Sequence, residues 1–279
     1  MRTTTLTTAV LNPSAAAKDK RVLVTGGGTF LGDSIASALI AAGAEVTLLV
    51  RPGAEDKLGA LAGRARWWSS DVWNPASLRG RGRGHAIVVH TVGSMIADPQ
   101  QGLTHNWLNF VSARNVANMC VGDGVPHMLL MSAVRAPWVS GDYIRAKRDA
   151  EAYMQRVGLN GMIVRAPVAY LRGQRRNPFY QLLTLLGSIP PTSWLAFGRI
   201  APIPVDVLAR GVAKIALERR RDKTMFYAPD LRRLGKSDRR TAIDPFSERN
   251  DDTQPRRKFH AIELLGEDTP FGWSPPEEK

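Results

Sequence analysis

An apolar run, Val22-Leu-Val-Thr-Gly-Gly-Gly-Thr-Phe-Leu-Gly32, ends in glycines, and a helical pattern continues directly from Phe30 to Ala42. A buried strand that turns through glycines into a helix leaves a chain few options. Glycine takes φ > 0 at little cost and lets backbone N–H groups come close to a ligand. The helix presents its positive end to the turn, so a pyrophosphate is favoured there and a dinucleotide is the expected guest. Gly26 and Gly32 hold the outer places of a G-x-x-G-x-x-G spacing, with Phe30 and Leu31 inside it. Thr29 takes the middle place, which is expected to loosen the contact, and Gly28 stands one position away to compensate.

The alternation of apolar runs and helical patterns then repeats. Glu45–Val50 reads as a second strand, Arg66–Val72 as a third, Ala86–Val92 as a fourth, Met128–Ser132 as a fifth and Met162–Arg165 as a sixth. Helical periodicity covers Trp107–Val121, Asp149–Val157 and residues 206–218. Near-continuous apolar strands between helices imply an α/β fold, a doubly wound parallel sheet of the Rossmann type covered on both faces. The expected organisation is a targeting segment over 1–19, a nucleotide-binding domain over 20–228 and a polar, irregular tail over 229–279. A small substrate lobe lies mainly at 168–204, where Phe179–Leu186 and Trp194–Phe197 are apolar enough to face a hydrophobic ligand or a membrane surface.

Charge narrows the partners. The net charge is +13, and the positive excess lies before Pro229, where 28 Lys and Arg stand against 14 Asp and Glu. Such a surface suits a phosphorylated cofactor, an anionic lipid surface or an acidic protein. Nucleic acid is not expected, because the Arg79, Arg81, Arg83 run has no aromatic platform beside it and reads as a solvated loop. A single cysteine, Cys120, excludes an internal disulfide and a cysteine metal cluster, and no metal site is expected. The first eighteen residues are rich in threonine and free of acidic residues, which points to mitochondrial import. No run of roughly 18 apolar residues suggests a transmembrane helix.

Two features turn nucleotide binding into chemistry. Arg51 follows the second strand, where an NAD-preferring site places an acidic residue against the ribose 2′-hydroxyl; a cation there favours a 2′-phosphate. NADP is therefore the expected cofactor, with NAD the alternative. Tyr143 and Lys147 are spaced i, i+4, so on a helix they share a face, and an adjacent ammonium is expected to lower the tyrosine pKa for proton transfer. Ser132, at the end of the fifth strand, stands where parallel sheets place groups that touch ligands.

These residues together resemble the short-chain dehydrogenase/reductase superfamily, in its extended or atypical branches, over roughly residues 20–228. The resemblance implies that Tyr143 is the general acid/base, Lys147 tunes it and holds the ribose, and Ser132 orients a substrate carbonyl. It also implies that Asp71 and Val72 contact adenine, that His90, Thr91, Val92 and Gly93 lie near the ribose and nicotinamide, and that Arg165-Ala-Pro167 forms the nicotinamide-side turn. Asn109 and Asn115 stand as in the family's following helix. Val88–Gly93 and Asp142–Glu151 are most similar to the accessory-subunit group of respiratory complex I and related fungal coenzyme Q biosynthesis proteins. That likeness implies a nicotinamide dinucleotide held beside quinone chemistry and a membrane protein complex as partner, with or without turnover.

Overall fold

The computed structural model describes residues 20–172, 198–218 and 223–236. The apolar run forms β1 (Arg21–Gly27) and the helical pattern after the glycines forms α1 (Phe30–Ala41). Then follow β2 (Glu45–Val50), β3 (Arg66–Ser69), β4 (Ile87–His90), α2 (Ser112–Asp123), β5 (His127–Ala133), α3 (Gly141–Arg156) and β6 (Asn160–Ala166). Two short strands, β7 (Ala169–Tyr170) and β8 (Ile203–Pro204), pair beside the main sheet; α4 (Val205–Glu218), β9 (Met225–Tyr227) and α5 (Ala228–Leu234) complete the described chain.

The seven-stranded sheet is parallel throughout, in the order β3-β2-β1-β4-β5-β6-β9. The doubly wound fold expected from the sequence is therefore the fold observed. The order reverses between β1 and β4, and in such sheets ligands bind beyond the strand ends at that point. Two apolar layers enclose the sheet. On one face Leu39 of α1 and Val212 of α4 pack with Leu48 and Phe226; on the other Val116 of α2 and Met154 of α3 pack with Met128 and Ile163. Each such fully buried side chain contributes about 2 kcal/mol relative to exposure. Cys120 belongs to the second layer, where burial pushes its thiol up to about 12, as befits a packed apolar residue.

Several boundaries differ from the expected ones for local reasons. β3 stops at Ser69, because the Asp71 carboxylate accepts from Trp73 N (2.9 Å) and Ser77 Oγ ties the Asp71 backbone into a turn. β4 stops at His90, and the chain leaves the sheet before Gly93. α2 is preceded by one π-helical turn, Asn106–Val111. α3 begins at Gly141, so Tyr143 and Lys147 both lie on it. Beyond residue 228, where an irregular tail was expected, α5 packs under α4 with Leu231 fully buried; Gly211 makes this possible, since a Cβ there would lie 3.0 Å from Leu231 O. The expected targeting segment, the apolar stretches at 179–186 and 194–197 and most of the expected tail lie outside the described residues. Among those described, no helix is long and apolar enough to cross a membrane.

Candidate active site

The glycine turn is held by side chains as well as by backbone. Thr29 caps α1: its Oγ1 accepts from Gly32 N (3.2 Å) and donates to Gly26 O (2.6 Å). The threonine in the middle place of the glycine spacing thus fastens the turn itself. Gly26 has φ +83°, and a Cβ there would sit 2.6 Å from Thr91 Oγ1 at the end of β4; a Cβ on Gly32 would overlap Gly26 O. Both positions therefore require glycine. Gly28 N donates to Asp33 Oδ1 (2.8 Å), so a carboxylate in the first turn of α1 already engages one amide of the cradle.

A cleft opens above this turn. Gly26, Gly28, Thr29, Arg51 and Val72 line it, and so does Val92, which was expected nearer the nicotinamide. Lys57 and Trp73 line it too, and sequence reasoning missed both. Lys57 rises from the short helical turns over Glu55–Gly63, which pack against Gly28 with Ala54 O 3.0 Å from the position of a Cβ there. The only signal in the sequence was a cation shortly after Arg51 and the Pro52-Gly53 turn. Asn115 Nδ2 donates to the carbonyls of Val72 and Trp73 (3.1 Å each), fixing that wall. Asp71, expected against adenine, does not line the cleft, since its carboxylate is held by the Trp73 amide.

Thr29 also lines a second cavity of about 200 Å³, with Phe30, Leu31, Thr91 and Gly93 on the side of the turn. Ser132, Tyr143, Lys147 and Pro167 form its other side. The site residues expected at both ends of a dinucleotide are thus brought to two adjoining spaces that share one residue. Gly93 has φ +151°, and a Cβ there would lie 2.5 Å from Lys147 Nζ and would overlap Asn109 Oδ1. Asn109, in the π-helical turn, accepts from Ser94 N (3.1 Å) and donates to Ser94 O (2.9 Å). Beneath them His90 Nδ1 pairs with Thr25 Oγ1 (2.9 Å), while its buried Nε2 has no partner. Burial, with the charge of Lys147, pushes His90 down to about 3, so it is neutral.

The catalytic side departs from expectation in two ways. Lys147 is buried, donates from Nζ to Met131 O (3.3 Å), and is pushed down to about 8 by burial, partly opposed by Glu151. Its Nζ lies 5.9 Å from the centroid of the Tyr143 ring, whose other neighbour is His105, ring centre 5.8 Å away. The Tyr143 phenol is not lowered. Burial holds it above the usual tyrosine range, and only the charge of Arg148 opposes this. Secondly, the Ser132 hydroxyl is committed elsewhere: it donates to Glu151 Oε1 (2.5 Å) and accepts from Arg148 Nη1 (3.1 Å). Glu151 also pairs with Arg148 and with Arg165 Nη2 (2.5 Å), and Arg165 Nη1 donates to Tyr227 OH (3.1 Å). A buried carboxylate between two guanidiniums must fill its remaining lone pairs, and Ser132 fills one.

The profile of a family described as NAD(P)H-binding matches residues 26–180. An uncharacterised chloroplastic protein of Arabidopsis thaliana is 29% identical over 171 residues, covering 58% of this chain and 54% of that protein. The chain therefore spans about half the length of this curated relative. Among solved structures, a Burkholderia cenocepacia protein assigned as an epimerase is similar with TM-score 0.56 at 19% identity, over 76% of this chain and 78% of that one. A dTDP-glucose 4,6-dehydratase from Streptomyces venezuelae, with NAD bound, gives 0.52 at 20% identity over 74% of each chain. A UDP-Glc/GlcNAc 4-epimerase from Campylobacter jejuni gives 0.53 at 15% identity, over 77% and 82%. At these identities the likeness is one of fold.

Proposed function

The chain belongs to the NAD(P)H-binding family, and on that premise we propose that it is an oxidoreductase that holds NADP(H) in preference to NAD(H) across the β1 turn. The observation that carries this reading is the adjacency of two spaces through Thr29: one edged by Arg51 and Lys57, the other by Tyr143 and Lys147. The residues fit a dinucleotide. Gly26 and Gly32 leave room that any Cβ would fill, the start of α1 suits a pyrophosphate, and the two cations that edge the cleft, Arg51 and Lys57, suit a 2′-phosphate.

A reduced nicotinamide, when bound, supplies a hydride. The chain's own part is to bind, orient and move a proton. Lys147 is assigned to the ribose hydroxyls and Tyr143 to the carbonyl oxygen. The Tyr143 phenol is protonated at neutral pH and so has a proton to give to a carbonyl oxygen, although burial, which holds it above the usual tyrosine range, makes it a weaker acid. With Ser132 engaged by Glu151, Tyr143 is left as the proton donor of the cavity.

Tyr143→Phe is expected to lower turnover at least ~100-fold while NADPH affinity, measured by calorimetry, stays within about twofold of the parent. An equal rate of NADPH oxidation by parent and variant across a panel of carbonyl and quinone acceptors would sink this assignment. The commitment of Ser132 and the raised phenol favour a second reading: a non-catalytic subunit that retains NADPH as a structural ligand. The mitochondrial location and the complex I-like partner belong to that reading, resting on the resemblance and on residues 1–19. Nucleotide that co-purifies and is never oxidised is its signature.

A further inference from the structure

The cavity beside Tyr143 carries little means of recognising a polar ligand. Among its described lining residues Lys147 is the one charged side chain. Four other lining hydroxyls each donate their proton inside the protein: Thr29 to Gly26 O, Thr91 to Thr25 O, Ser94 to Ile96 O and Ser132 to Glu151. Most of the remaining lining side chains are apolar, among them Phe30, Met95, Val134, Val139 and Leu208, with the indole of Trp138 beside them. Trp138 is 37% exposed and Met95 half-buried, so this apolar wall continues to the surface.

We infer that the second ligand is an uncharged, largely apolar carbonyl compound with an aryl or alkyl body. Its carbonyl rests on the reading of Tyr143 given above; its apolar body rests on the cavity wall alone. A sugar nucleotide, the ligand class named for the dehydratase and 4-epimerase of similar fold, brings a diphosphate and a ring of hydroxyls. Here those groups would lose water and meet few side-chain donors beyond Lys147 and Tyr143, whereas an apolar body gains by leaving water.

The test is calorimetric titration of the full chain, with and without NADPH, using 4-phenyl-2-butanone and UDP-glucose as probes. The ketone is expected to bind at least about tenfold tighter than UDP-glucose. Trp138→Ala and Met95→Asp, both at partly exposed positions, are each expected to weaken the ketone about fivefold or more and to leave NADPH affinity unchanged. UDP-glucose binding as tightly as the ketone, or both variants binding the ketone like the parent, overturns the inference. Ketone binding that depends on Trp138 in a chain that does not bind NADPH overturns the nucleotide reading and sustains this one.

Discussion

The two sides of the site are built from different material. The nucleotide side is mostly backbone: glycines at fixed φ, the start of a helix and carbonyls tied by Thr29 and Asn115. The Tyr143 side is mostly side chains: a largely apolar wall with Lys147, backed at Ser132 by a buried charge cluster that links β5, α3, β6 and β9, with Ser132, Arg165 and Tyr227 as lateral neighbours in the sheet register. Backbone recognition depends on conformation, which a few glycines dictate. Proton-transfer capacity depends on solvation and neighbouring charge, so the same Tyr143 and Lys147 behave differently once buried.

The contrast breaks most readily at Glu151. Glu151→Gln keeps the shape but leaves two guanidiniums unbalanced, and is expected to cost about 3–5 kcal/mol in urea unfolding. Ser132→Ala removes one neutral donor and is expected to cost about 1 kcal/mol. A Ser132→Ala variant of full stability and no turnover would return the serine to catalysis. Lys147 stands between these two in size. Its folded pKa of about 8 lies below the ordinary lysine value of 10.5, so between those values the unfolded chain binds more protons and stability rises with pH. Lys147→Met is expected to abolish that rise and to gain up to about 3 kcal/mol at pH 7; denaturation at pH 7 and pH 10 reads both. The smallest effects belong to the nucleotide side. Arg51→Ala is expected to weaken NADPH about tenfold and Lys57→Ala about threefold, with NADH nearly unchanged. Equal losses for both nucleotides in fluorescence titrations would place these cations away from any 2′-phosphate.

Legibility in the sequence followed the same division. The bounds of β1, α1 and β2 lie within a residue or so of those read from the pattern, because an apolar run, a glycine turn and a helical period all bear on the same few positions. Arg51, Tyr143 and Lys147 were singled out by spacing along the chain, and they line the two spaces. β9 was not legible, since three residues display no period, and its place at the sheet edge is fixed by pairing with β6. Lys57 reaches the cleft through the packing of Ala54 on Gly28, which no local pattern encodes. The fate of Ser132 depends on Glu151, 19 residues away, and on Arg165 in the adjacent strand. Three-dimensional neighbours thus reassigned a hydroxyl that its position alone had marked for a ligand.

The pairing of β9 with β6 also bears on how the protein comes to be finished. β6 is synthesised well before Met225–Tyr227, and until those residues arrive its outer backbone groups face water. Exposed strand edges are templates for pairing with other chains. A nascent or proteolysed chain lacking Tyr227 also lacks the hydroxyl that receives Arg165. Among the described strands β9 is the last made, so protection of this edge of the sheet comes late in synthesis.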